Sequence, residues 1–248
     1  MSPLAPKDRI IFPLDLPTKD KALEFVRLLK DSVGVFKVGL ELFIAEGPAI
    51  IRSIKEIAPE SKIFLDLKLH DITETVRRAL KSVTMLGVDF VTMHCDNKAM
   101  LSAAEEATAA GCKVLGVTVL TNLSQDDLKE IGITEELQDP KDLVLHRAGL
   151  AKEAGLSGIV CSGQEVGKIT EKFGQDLITV TPGIRPLEKT SAIKKDDQKR
   201  VVTPFDAIKD GADYIVVGRP IRDAEDPKAA SANIAEEIKR ALDENPRS

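Results

Sequence analysis

Short runs of β-branched and apolar residues alternate with stretches of helical periodicity eight times along the chain, and few folds accommodate that rhythm. Ile10-Ile11-Phe12-Pro13-Leu14-Asp15 reads as a strand ending in an acid, after which Thr18 and Asp20 can open a helix. Its apolar positions Ala22, Phe25, Val26 and Leu29 recur at helical spacing. Further strands are predicted at Val35–Val38, Lys62–Asp66, Phe90–Met93, Val114–Thr118, Gly158–Val160, Leu177–Val180 and Tyr214–Val217. Helices are predicted between them: after Gly47-Pro48 through Ile57, over roughly 72–86, near 97–110, and up to about Ala154 once past Gly132 and Pro140. The remaining ones fall near 163–173, over 204–210 and over Pro227–Leu242. Eight units in 248 residues average about 31 residues each, the size of one step in a (β/α)8 TIM barrel. A doubly wound open sheet is the competing α/β architecture. It calls for a glycine-rich first turn, whereas the first turn here is Asp15-Leu16-Pro17-Thr18. No linker-like shift in composition interrupts the pattern, so residues 1–248 are read as one barrel domain.

In such a barrel the reactive groups sit where strands end. Strand one ends at Asp15, strand two carries Lys37, and strand three runs into Asp66-Leu67-Lys68-Leu69-His70-Asp71. Lys37 stands between Phe36 and Val38, whose side chains alternate to the opposite face. A buried, unpaired ammonium group is costly, so an inward Lys37 needs carboxylate company. Asp66 and Lys68 are two residues apart and share a face if the strand continues, while Asp71 lies beyond, in the loop or first helical turn. Two lysines and two aspartates there form a charge-neutral array if all of them meet.

The last loops carry a different chemistry. Pro182-Gly183-Ile184-Arg185 and Gly218-Arg219-Pro220 follow strands seven and eight, where barrels often bind phosphate. Glycines admit an oxyanion close to the backbone, and Arg219 can offer a bidentate fork. The loop over about 183–203, rich in donors such as Lys189, Lys194, Lys195, Gln198, Lys199 and Arg200, fits a phosphate-gripping role.

Composition narrows the partners. With no Trp, one Tyr, a net charge of −5 and a pI near 5.4, the chain has neither the stacking platform nor the basic surface of a nucleic-acid binder. A local basic site for a small anion stays compatible with that total. The start of the chain has no apolar targeting segment, and no run approaches the roughly 18 apolar residues that span a bilayer, so a cytoplasmic protein is expected. Cys95, Cys112 and Cys161 lack disulfide or zinc spacing and read as small buried fillers. His70, His94 and His146 lack zinc-ligand spacing, so no metal is expected; His94 reads as polar lining and His146 as structural or solvent-facing.

Taken together, these segments resemble the orotidine 5′-phosphate decarboxylase family almost end to end. The resemblance is carried by Leu14-Asp15, Phe36-Lys37-Val38-Gly39-Leu40, Phe64 to Asp71, Val117 to Thr121 and Val180 to Arg185. Asp196-Asp197-Gln198, Thr203-Pro204 and Val216-Val217-Gly218-Arg219 complete it. DxKxxD alone is shared with magnesium-dependent sugar-phosphate decarboxylases and synthases, which tend to carry an acid near the Lys37 position. The resemblance implies a cofactor-free conversion of orotidine 5′-phosphate to UMP and carbon dioxide, the last step of de novo pyrimidine synthesis. It implies Lys68 as the cation and proton donor at C6, with Asp66 near the substrate carboxylate and Lys37 and Asp71 completing the catalytic array. Lys37 and Asp15 would reach the ribose hydroxyls and Thr121 the pyrimidine. Gln198, Gly218 and Arg219 would hold the phosphate, helped by the chain around Gly183 and Arg185. In the family the residue matching Asp71 comes from the other subunit, accompanied by the one matching Thr75, which implies a homodimer with shared sites. Thr73, Glu74 and Cys95 stand where the family often has Pro, Asn and Ala. The alternatives are a magnesium-dependent sugar-phosphate enzyme and a catalytically silent, nucleotide-binding barrel.

Overall fold

The computed structural model describes residues 4–186 and 201–244. Eight parallel strands close into a barrel in sequence order: β1 (Ile10–Pro13), β2 (Val35–Gly39), β3 (Lys62–Leu69), β4 (Phe90–His94), β5 (Lys113–Val117), β6 (Gly158–Val160), β7 (Ile178–Thr181) and β8 (Tyr214–Val216). Closure is made by β1 on β8, with Ile10 opposite Ile215 and Ile11 opposite Val216. The helices between strands are α1 (Lys19–Leu29), α2 (Leu40–Glu46), α3 (Ala49–Ile57), α4 (Thr73–Thr84), α5 (Lys98–Leu101), α6 (Glu105–Ala109), α7 (Gln125–Glu130), α8 (Pro140–Glu153), α9 (Gly163–Phe173), α10 (Pro204–Lys209), α11 (Arg219–Arg222) and α12 (Pro227–Glu244). Among the described residues no helix is long and apolar enough to cross a membrane.

The expected rhythm holds, with local differences that have physical causes. The stretch near 97–110 is not one helix: Asn97 caps α5, a 3-10 turn over Ser102–Ala104 follows, and α6 resumes at Glu105. The helix α2 starts directly from Gly39, with no polar cap to mark it in the sequence. Side-chain caps fix several other starts. Thr18 accepts from the Lys21 N–H, Ser162 from Gln164 and Thr203 from Asp206, each satisfying a donor that the first helical turn leaves open.

Two apolar layers result from the strand alternation. Ile10, Phe12, Phe36, Val38, Ile63 and Leu65 face the helices in one large core, while Ile11, Val35, Phe64, Phe90, Leu115, Val180 and Tyr214 pack inside the barrel. Within the inner cluster Phe90 meets Phe64 and Tyr214 edge-on, at ring separations of 6.1 and 5.3 Å. Each such buried aromatic contributes roughly 1.5–3 kcal/mol by removal from water, and together they plug the barrel. A rigid floor thus lies under the strand ends that carry the charged side chains.

Candidate active site

The outward positions of Phe36 and Val38 leave Lys37 aimed inward, where it is only 8% exposed. Its company is the one that burial demands. Lys37 Nζ lies 3.1 Å from Asp15 Oδ1 and 3.6 Å from Asp66 Oδ2. Asp15 reaches it because the Leu14 N–H donates to the Lys37 carbonyl at 2.8 Å, holding the chain against β2 beyond the end of β1. Gly39 completes the fit: a Cβ there would stand 2.8 Å from Asp15 Oδ1 and 3.2 Å from Lys37 Nζ, inside the ion pair.

β3 runs to Leu69 with a register shift against β4 between Leu65 and Leu69, and Asp66 and Lys68 meet there. Lys68 Nζ donates to both Asp66 oxygens at 2.9 Å. The chain Asp15–Lys37–Asp66–Lys68 is therefore an alternating, neutral row of four charges. Burial pushes the Asp66 pKa up, but the two ammonium groups and the hydrogen bonds from Lys68 and Thr92 outweigh it and hold the carboxyl below its ordinary value of 3.8. Asp66 is ionised at neutral pH.

Within a single chain Asp71 does not join this row. Asp71 lies in the loop before α4, exposed, with its carboxylate accepting the Ile72 N–H at 2.6 Å. Thr75, on the first turn of α4, is exposed as well, and neither residue lines the cavity of its own chain. Within the chain itself the second carboxylate of the row is that of Asp15.

These groups line one side of a cavity of about 990 Å³ over the strand ends. Thr121 lines it, as do Gly183, Arg185, Gly218 and Arg219 from the loops after β7 and β8. Arg222, which sequence reasoning did not single out, also lines it and is held by Asp223 through two bonds of 2.6 and 3.0 Å. Gly183 has a φ of 82°, a backbone conformation that suits glycine. Beyond it, Ile184 pairs with Val202, and the Arg185 N–H donates to the Val202 carbonyl at 2.9 Å. The two stems of the long loop are thus clamped side by side. Gln198, with Lys189, Lys194, Lys195, Lys199 and Arg200, lies outside the described residues. The cavity is lined both by a charged, neutral-sum row and by three arginines, Arg185, Arg219 and Arg222, a match for a ligand that carries a strong anion.

The remaining candidates are secondary. His94 is half-buried and stacks obliquely on His70, with ring centroids 5.1 Å apart; neither lines the cavity. Burial, then the neighbouring His70, lowers the His94 pKa from 6.5, so it is mostly neutral at pH 7. His146 is exposed. All three cysteines are free and buried; burial raises the Cys95 thiol to about 12 and the Cys112 thiol to about 11, which leaves them inert at neutral pH. Among the described residues no group of three or more His, Cys, Asp or Glu side chains is placed to hold a metal ion.

The model of the orotidine 5′-phosphate decarboxylase / HUMPS family matches residues 8–234, nearly the whole chain. The chain belongs to that family. Among curated members, the orotidine 5′-phosphate decarboxylase of Desulfosudis oleivorans is 50% identical over 240 residues, covering 96% of both chains. That of Carboxydothermus hydrogenoformans is 46% identical over 243 residues, covering 95% of this chain and 98% of the relative. The crystal structure of the Lactobacillus acidophilus orotidine 5′-phosphate decarboxylase superposes with a TM-score of 0.78 at 35% identity, over 92% of this chain and 98% of that one.

Proposed function

We infer that this chain decarboxylates orotidine 5′-phosphate to UMP and carbon dioxide in pyrimidine nucleotide synthesis, without a cofactor. The observation that carries the reading is the Lys37–Asp66–Lys68 row, lining a cavity that Arg185, Arg219 and Arg222 also line. Breaking the bond between C6 and the carboxylate leaves an electron pair on C6 with no ring system positioned to delocalise it. A fixed cation beside C6 stabilises that charge as it develops. Lys68 fills this place and passes one Nζ proton to C6, leaving a neutral amine that solvent reprotonates. Asp66, kept ionised by its two lysines, lies beside the departing carboxylate and orients Lys68. Lys37 and Asp15 bind ribose hydroxyls, and Thr121 contacts the pyrimidine. Gly218 and Arg219, with Arg185, the main chain at Gly183 and Gln198, hold the phosphate. Binding energy gathered at this remote anion orients the base over the row, as differential binding requires.

The sugar-phosphate alternative shares the DxKxxD segment but not the cation at position 37, where a metal-assisted site favours an acid. Purified protein given orotidine 5′-phosphate after exhaustive chelator treatment is expected to show the full absorbance loss of the untreated protein. Activity that vanishes with chelator and returns with magnesium overturns the cofactor-free reading.

The exposed position of Asp71 supports a further element of the proposal, a homodimer in which Asp71 and Thr75 of one subunit complete the site of the other. Ile72 beside them is 71% exposed, an apolar side chain suited to burial between two copies. Mixing inactive Lys68→Ala and Asp71→Ala proteins under conditions that exchange subunits is expected to restore about one quarter of wild-type activity, since a hybrid dimer holds one intact site. A mixture as inactive as its parents contradicts sharing.

A further inference from the structure

The strongest unassigned feature is a threonine under the site. Thr92 is fully buried on β4 and does not line the cavity. Its hydroxyl donates to Asp66 Oδ1 at 2.9 Å and accepts the Lys68 backbone N–H at 2.9 Å. The second bond falls at an irregular place in the barrel. Between the pairs Leu65–Val91 and Leu69–Met93 the β3 chain advances four residues while β4 advances two. The ladder is interrupted there, and Lys68 has a φ of 51°, the one non-glycine residue in the described chain with positive φ. That conformation is unfavourable for a lysine unless its surroundings fix it. A bulge of this type re-aims a side chain, and it leaves an N–H without its ladder partner. The Thr92 oxygen is that partner.

We propose that Thr92 is a positioning residue for the decarboxylation: one buried hydroxyl ties the Asp66 carboxylate to the bulged backbone of Lys68, so that ammonium and carboxylate stay in reactive register. This rests on the function inferred above. Thr92 touches neither substrate nor the reacting carbon; it acts through Asp66 and Lys68. A valine at this position keeps the β-branched shape and the packing but removes both bonds, leaving the Lys68 N–H unsatisfied and Asp66 Oδ1 with the Lys68 ammonium but without its hydroxyl donor. A serine keeps the hydroxyl.

Thr92→Val is expected to lower kcat roughly 10- to 100-fold, the effect of one lost hydrogen bond to a charged group, with KM changed less than about threefold. Thr92→Ser is expected to recover kcat to within about threefold of wild type, on the same reasoning. Rates are taken per site that binds UMP, which removes any loss from unfolded protein. A Thr92→Val enzyme with kcat within twofold of wild type, or a Thr92→Ser enzyme as slow as Thr92→Val, overturns the proposal. Amide hydrogen exchange on the unmodified protein gives a second test that needs no variant to fold. The Lys68 N–H is expected to exchange slowly, like a strand interior; exchange as fast as an exposed loop amide contradicts the bond. An unmodified protein inactive on orotidine 5′-phosphate overturns the functional reading and this proposal with it, whereas an active parent with an unaffected Thr92→Val enzyme overturns the role of Thr92 alone.

Discussion

Lys68→Ala is expected to lower decarboxylation by at least about 10⁴-fold while nucleotide binding largely survives. Two losses combine in that variant: a preorganised charge at the carbon where negative charge develops and the proton donor to it, each typically 10²-fold or more. Removal also leaves Asp66 with a single cationic neighbour, Lys37 at 3.6 Å, in place of two. Its carboxyl pKa therefore rises toward the ordinary range, because burial is no longer opposed by both ammonium groups. UMP, which lacks the carboxylate, is expected to bind the variant within about tenfold of wild type, since its phosphate and ribose contacts are made elsewhere. Turnover by Lys68→Ala near the wild-type rate contradicts the assignment, and loss of UMP binding with loss of turnover points to a misfolded site.

Arg219→Ala is expected to act on capture of the substrate. The arginine begins α11 and lines the same cavity as Lys68, next to Gly218. A guanidinium–phosphate pair with two charged hydrogen bonds contributes about 1.5–3 kcal/mol per bond, so kcat/KM is expected to fall by roughly 10²-fold or more. The loss is expected mainly in KM, because the phosphate is remote from the reacting carbon and Arg219 meets it in ground and transition states alike. Saturating substrate therefore recovers much of the rate, which it cannot do for Lys68→Ala. An unchanged kcat/KM would remove Arg219 from the phosphate site.

The contrast between these variants reflects how differently parts of the site could be read from sequence. Strand alternation set Lys37 on the face opposite Phe36 and Val38, and set Asp66 and Lys68 on one face on the condition that β3 continued that far. The same period could not show that β3 bulges at Lys68, since Leu67-Lys68-Leu69 has no glycine or proline to mark an irregular backbone. Thr92 was hidden for a related reason. A β-branched residue in a strand is ordinary, and only the register of β4 against the bulge gives its hydroxyl two partners. Asp71 looked like a member of the array by its spacing, yet the loop before α4 carries it away from its own cavity, and Asp15 enters through the Leu14–Lys37 backbone bond. Arg222 escaped notice because a short helix after Gly218-Arg219-Pro220 had no apolar period to announce it. Elements made by periodicity were legible, and contacts made by tertiary register were not.

The most direct measurement follows both products of a single reaction. Chelator-treated protein is mixed with orotidine 5′-phosphate labelled in its carboxylate, and UMP and labelled carbon dioxide are quantified together. Equimolar UMP and carbon dioxide are expected from the unmodified chain, and neither above background from Lys68→Ala. Substrate recovered intact from the unmodified chain, under conditions where UMP binds, would identify a nucleotide-binding barrel without this chemistry and contradict the account.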